Sequence, residues 1–224
     1  MPDTAIRPLG IFGGTFDPVH FGHLRLAEEA HEALGLTAIC WVPAGQPPHR
    51  ASPRIAPRHR LAMVRLAVAG NPHFRVAACE MERAEPSYTV TTLSRLRREQ
   101  GPRQPLVLLM GADAFTGLAS WYCWQEIFGL AHLAVLHRPG YPLLEERLPE
   151  PLAREFVQRR CAGPADLALA PAGAILPLPM TQLDISATHI RSLLSRGASP
   201  RYLLPDEVLD YIRRHQLYRN QPNP

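Results

Sequence analysis

The sequence of 224 residues contains no lysine, so all 24 of its basic residues are arginine. Chemistry that runs through a lysine amine is excluded, including the phosphate loop that ends in lysine. Any grip on phosphate must come from arginine, histidine or backbone N–H groups. Cysteine is scarce. Cys40, Cys79, Cys123 and Cys161 are widely spaced, form no CxxC pair and have apolar or small neighbours. A zinc site built from them is not expected, and they read as reduced, mostly buried thiols of a cytoplasmic protein. No apolar run approaches the ~20 residues of a membrane helix, and Met1 to Arg7 shows no signal-peptide pattern. There is no GxSxG elbow to present a serine nucleophile, no internal repeat and no basic tail.

What is present is enough for one full core. Hydrophobic residues make up 46% of the chain, which is read as a single domain over 1–224. The net charge of +4 favours polyanionic small molecules. The arginines are scattered, with no run longer than a pair such as Arg97-Arg98, so nucleic acid is not expected as the primary partner.

Short apolar runs alternate with helical stretches. Leu9 to Phe12, Ile39 to Val42, Phe74 to Cys79, Leu106 to Met110, Leu133 to Leu136 and Ile175 to Leu178 read as strands. Helices are predicted from about Arg58 to Ala69, Thr91 to Gln100, Thr188 to Ser195 and Pro205 to His215, with another opening near Leu24. This alternation predicts an α/β fold with a doubly wound parallel sheet, Rossmann-like in outline. The Pro-, Ala- and Leu-rich stretch from Pro139 to Pro179 is read as a helix-containing insertion with long loops.

The most informative segment is Gly13-Gly14-Thr15-Phe16-Asp17-Pro18-Val19-His20-Phe21-Gly22-His23-Leu24. It joins a strand to a helix through a glycine turn, the geometry that aims N–H groups and a helix N-terminus at phosphate. His20 and His23 are three apart, so they share a face of the first helical turn and suit hydrogen bonding to polyphosphate oxygens. Far downstream lies Ile185-Ser186-Ala187-Thr188-His189-Ile190-Arg191, where Arg191 sits one turn into a helix that begins near Ser186. For Asp17, metal, turn-capping and structural roles all fit.

These two segments, in this order, resemble the paired signatures of the HxGH nucleotidyltransferases, with Ala187 standing where a second serine is commoner. Between and after them lie Pro47-Pro48-His49-Arg50, Pro86-Ser87-Tyr88-Thr89, Gly111-Ala112-Asp113, Trp121-Tyr122-Cys123-Trp124, Arg138-Pro139-Gly140, Leu204-Pro205 and Leu217-Tyr218. Their spacing is similar to that of the bacterial nicotinate-nucleotide adenylyltransferases, from about Leu9 to Tyr218. No motif is recognised from Tyr141 to Gly173.

The resemblance implies ATP and nicotinate mononucleotide as partners, with Mg2+ carried by the ATP phosphates and no dedicated metal site on the protein. It implies catalytic roles for His20, His23 and Arg191. Gly13, Gly14, Thr15, Phe16, His49, Arg50, Ser186, Thr188 and Ile190 would bind ATP and its phosphates. Tyr88, Thr89, Gly111, Asp113, Trp121 and Tyr122 would hold the pyridine and ribose of the acceptor, while Trp124 packs inside. The C-terminal helical part, about 185–218, carries the second signature. The alternatives are a sister enzyme acting on nicotinamide mononucleotide or phosphopantetheine, or a nucleotide-binding or RNA-binding protein without catalysis. A relative of the HIGH-type aminoacyl-tRNA synthetases is excluded by the missing lysine of their second motif. Assembly into a homo-oligomer is left open by the sequence.

Overall fold

The computed structural model describes residues 6–46, 53–81, 86–138, 140, 143, 145–181 and 183–219. Six strands, β1 (Leu9–Gly14), β2 (Ala38–Pro43), β3 (Phe74–Val76), β4 (Leu106–Gly111), β5 (His132–His137) and β6 (Ile175–Pro179), form one sheet in the order β3-β2-β1-β4-β5-β6. Every pairing is parallel. Strand order reverses at β1, whose neighbours are β2 and β4, and ligands in such sheets bind outside the carboxyl ends at that reversal.

Parallel strands buried on both faces need apolar residues on both, and alternate side chains fill two separate cores. Phe12, Ile39, Trp41, Val107, Leu109, Ala134 and Leu136 point to one face. There they meet α1 (Phe21–Ala33), α2 (Pro57–Val68), α7 (Ala187–Ser195) and α8 (Asp206–Arg214). Leu9, Ile11, Cys40, Val42, Leu108, Met110, Leu133 and Val135 point to the other. Their partners are α3 (Thr89–Gln100), the short α4 (Ala112–Thr116) and α5 (Ile127–Leu130), and α6 (Glu150–Arg159). Doubly wound packing of this kind confirms the predicted fold class.

The boundaries differ in instructive places. The predicted strand from Phe74 to Cys79 stops at Val76. The last ladder bond, from Ala77 N–H to the Trp41 carbonyl, is followed by a turn closed by Met81 N–H on the Ala78 carbonyl. The turn lets Cys79 enter the second core. Helix α3 begins at Thr89, two residues before the predicted start, so Tyr88 and Thr89 stand at its N-terminus. Helix α6 supplies the helix expected in the insertion. Strand β6 carries Pro177 and Pro179, which its edge position tolerates because no further strand needs their missing N–H groups. No helix among the described residues is long and apolar enough to cross a membrane.

Candidate active site

The site grows from the carboxyl end of β1. Gly14 is glycine because the Phe16 ring comes too close for a side chain: an added Cβ would lie 2.8 Å from it. Phe16 takes a left-handed backbone turn, φ +48°. Its buried ring packs against Phe12 and Trp41 and stands 5.1 Å, edge to face, from the His23 ring. Phe16 thus supports the site as a wedge under His23, and only its backbone faces the turn that was predicted to bind phosphate. Gly13 opens onto free space, as does Gly111 at the end of neighbouring β4. Two adjacent strand ends are therefore bare, which lets a ligand approach the backbone closely.

His20 is the N-cap of α1 and His23 lies in its first turn. Their rings stack with centroids 3.7 Å apart and planes 25° from parallel. The His20 backbone N–H donates to Nδ1 of His23 at 3.3 Å, which assigns the proton of a neutral His23 ring to Nε2. His20 is only 6% exposed, and burial pushes its pKa down to about 4, so the ring is neutral at physiological pH. Two stacked imidazoles would repel if both were charged, and burial of one settles which stays neutral. Gly22 makes room for this arrangement, since a Cβ there would come within 3.0 Å of His20 Nδ1.

The second predicted segment arrives from α7. Ser186 caps that helix by accepting the His189 N–H on its Oγ at 3.1 Å. Arg191 donates from Nη1 to the Asp17 carbonyl at 2.7 Å and from Nη2 to Thr188 Oγ1 at 3.1 Å. The two segments, 174 residues apart at this contact, are thereby joined beyond the carboxyl end of β1. Ser186 and Thr188 are exposed there, whereas the Ile190 side chain is wholly buried in the first core. Ile190 therefore offers a ligand only its backbone.

Asp17, left open by the sequence, is an anchor. Its Oδ2 accepts the Arg54 backbone N–H at 2.7 Å and its Oδ1 accepts the Tyr218 hydroxyl at 2.6 Å. Arg60 was missed by sequence reasoning altogether. It is fully buried, and its guanidinium donates to the carbonyls of Thr15 at 2.8 Å, Ala44 at 2.6 Å and Gly45 at 2.8 Å. One side chain thus pins the turn after β1 to the loop after β2. The available signal was positional: Arg60 shares a helical stripe with Met63 and Val64, both fully buried.

A second pin holds that loop to the segment entering α3. Ser87 Oγ accepts the N–H groups of Gly45 and Gln46 at 3.1 and 3.2 Å. Glu80 receives the Thr92 hydroxyl at 2.6 Å, and burial pushes its carboxyl pKa up. Beyond Ser87, Tyr88 N-caps α3, Thr89 is the first residue of that helix, and the Tyr88 ring lies 4.7 Å from that of Tyr122. Gly111 N-caps α4 and Asp113 is exposed in its first turn. Trp121 is half-buried against the second core, and Trp124, expected to pack inside, is likewise only partly buried, edge-on to Phe128. His49 and Arg50 lie outside the described residues. Among the described residues no three His, Cys, Asp or Glu side chains are grouped to hold a metal ion.

Paired histidines, a helix-borne arginine and bare glycine strand ends are what a nucleotidyltransferase site calls for, and the comparisons show that class. The cytidylyltransferase-like family model matches residues 11–193. A Dechloromonas aromatica protein named probable nicotinate-nucleotide adenylyltransferase is 61% identical, covering 96% of this chain and 99% of its own length. Its namesake from Acidithiobacillus ferrooxidans is 52% identical over 95% of this chain and 96% of its own. The chain belongs to the nicotinate-nucleotide adenylyltransferase family. A similar fold is seen in the Plasmodium falciparum nicotinic acid mononucleotide adenylyltransferase complexed with NaAD. It gives a TM-score of 0.68 at 15% identity, over 95% of this chain and 97% of that one.

Proposed function

We propose that this chain transfers the adenylyl group of ATP to nicotinate mononucleotide, forming the deamido dinucleotide and pyrophosphate. The acceptor phosphate oxygen forms a bond to the α-phosphorus, and the bond from that phosphorus to the β-bridging oxygen breaks as pyrophosphate leaves. Such a transfer depends on positioning and on stabilising shifting negative charge, so no covalent nucleophile is required. The observation that carries the reading is the union of His20, His23 and Arg191 at the β1 strand end through the Arg191–Asp17 contact.

In this reading His23 donates to a phosphate oxygen as charge moves to the leaving group. His20, neutral and buried, holds the His23 ring by stacking. Arg191 and the N-terminus of α7 face the β- and γ-phosphates, with Gly13, Gly14, Thr15, Ser186 and Thr188 lining the path, and His49 and Arg50, outside the described residues, are proposed as further phosphate contacts. On the acceptor side Trp121 stacks on the pyridine, N–H groups at Thr89 and Tyr122 meet the carboxylate, and Asp113 accepts from ribose hydroxyls. A magnesium ion brought in on the ATP phosphates would supply further charge neutralisation there. Both Asp17 carboxylate oxygens are engaged by protein donors, which supports a metal held by the substrate.

The test is pyrophosphate release with nicotinate mononucleotide against its amide. Two N–H donors favour a carboxylate over an amide, whose own NH2 would leave one donor unpaired at a cost of ~1–3 kcal/mol. The expected preference in kcat/KM is at least roughly a hundredfold. Equal values would assign the chain to a sister activity.

A further inference from the structure

We infer that Tyr218 is a positioning residue of the nucleotide site, acting through Asp17 on Arg191. The inference rests on the reading of Arg191 as a triphosphate contact. Tyr218 lies beyond α8 in a turn whose neighbour Leu217 donates its N–H to the Ile212 carbonyl at 3.0 Å. The residue is buried to 2% exposure, and its backbone adopts φ +64°, a conformation uncommon for a bulky side chain. Local chain preference therefore does not place this ring; its contacts do. A tyrosine needed only for packing could satisfy its hydroxyl on any carbonyl nearby. Here the hydroxyl donates at 2.6 Å to Oδ1 of Asp17, inside the first signature segment.

Asp17 passes the constraint on in two directions. Its carbonyl is the acceptor for Arg191 Nη1 at 2.7 Å, and its Oδ2 is the acceptor for the Arg54 N–H at 2.7 Å, on the segment entering α2. The charges facing this cluster are Arg191 from α7 and Arg60 from α2, both of which bear electrostatically on the Tyr218–Asp17 pair. With the hydroxyl in place, the carboxylate has a donor on each oxygen and one orientation. Without it, Oδ1 loses its donor and the Asp17 side chain keeps only the Arg54 N–H, so the residue whose carbonyl accepts from Arg191 is anchored on one side instead of two. The last turn of the described chain thereby sets where the Arg191 fork points.

The experiment is Tyr218→Phe, which keeps the ring and removes only the hydroxyl, measured alone and combined with Arg191→Lys. The expected result is a roughly tenfold rise in the dissociation constant for ATP by titration, matched by a tenfold fall in kcat/KM for ATP. The KM for nicotinate mononucleotide should stay within twofold. In the Arg191→Lys background, where the fork is already gone, adding Tyr218→Phe should change ATP affinity less than twofold. A purely structural tyrosine would lower the melting temperature without this split. Unchanged ATP affinity in Tyr218→Phe, equal losses for both substrates, or a full tenfold loss in the Arg191→Lys background would each overturn the inference. A wild-type chain that binds ATP but releases no pyrophosphate with nicotinate mononucleotide would overturn the acceptor assignment alone. The role of Tyr218 would then be decided by the ATP titrations.

Discussion

Replacing Arg60 by methionine isolates what a buried charge does beneath the site. Methionine keeps most of the length and removes the guanidinium, so the carbonyls of Thr15, Ala44 and Gly45 lose donors at 2.8, 2.6 and 2.8 Å. A buried acceptor left unsatisfied costs ~1–3 kcal/mol, which applies in full to Gly45 and in part to the partly buried Thr15 and Ala44. Against that, the substitution removes the desolvation of a fully buried cation, which burial already disfavours. The two effects leave a net destabilisation of about 3 kcal/mol, a large share of the ~5–15 kcal/mol that holds a typical domain folded. Arg60→Lys keeps the charge, but one ammonium cannot reach three oxygens on two loops, and it should cost about 1–2 kcal/mol. Urea unfolding at constant slope measures both values. The Met variant should also lose at least roughly tenfold in kcat/KM, because the turn after β1 and the loop after β2 are no longer tied. A Met variant within ~0.5 kcal/mol of wild type would refute the argument, since one buried and two partly buried carbonyls cannot be indifferent to the loss of a charged donor.

Replacing His23 by Ala should lower kcat on the order of a hundredfold or more, with ATP affinity nearly retained, as single-turnover and steady-state rates will show. His20 contributes a pH-dependent term to stability. Its folded pKa of about 4 lies below the ordinary 6.5, so the unfolded chain takes up the proton first. The stability it confers is complete above pH ~6.5 and is lost as pH falls toward 4, by up to about 3 kcal/mol; His20→Asn should flatten unfolding midpoints across that window. Gly45→Ala should destabilise the chain by about 2 kcal/mol or more and raise the KM for ATP. The added Cβ would stand 2.2 Å from the Glu80 carbonyl oxygen, so backbone must move; wild-type melting and kinetics would show that the loop gives way freely.

The strands and both signature segments were legible because apolar runs and glycine turns are local features. Leu106 to Met110 could hardly be anything but a buried strand, and His20 and His23 had to share a helical turn. Membership of a motif, however, does not say which atoms face the ligand. Phe16 and Ile190 were grouped with the phosphate contacts, yet their side chains fill the core and hold neighbours in place. Arg60 was invisible for the opposite reason, since arginine reads as surface unless tertiary carbonyls are known to converge on it. Asp17 could not be resolved because its partners, Arg54, Arg191 and Tyr218, come from three distant parts of the chain. His49 and Arg50, expected to clamp phosphate, lie outside the described residues and remain a prediction for mutagenesis.

The bond from Arg191 to Asp17 also bears on how the molecule folds. Closing it brings together residues separated by 174 positions, and β1 must pair with β4 almost a hundred residues away before the site exists. Loop-closure entropy is spent on these contacts before any of them is rewarded, so the chain should fold slowly for its size. No partly folded fragment holding only the first or the second signature carries the nucleotide site. Ligand binding energy is therefore coupled to global unfolding rather than to a local opening. At a nucleotide concentration a hundred times the dissociation constant, the whole domain gains ~2.7 kcal/mol. Hydrogen exchange of slow amides remote from the strand ends that form the site should then slow by the same factor as at the site itself.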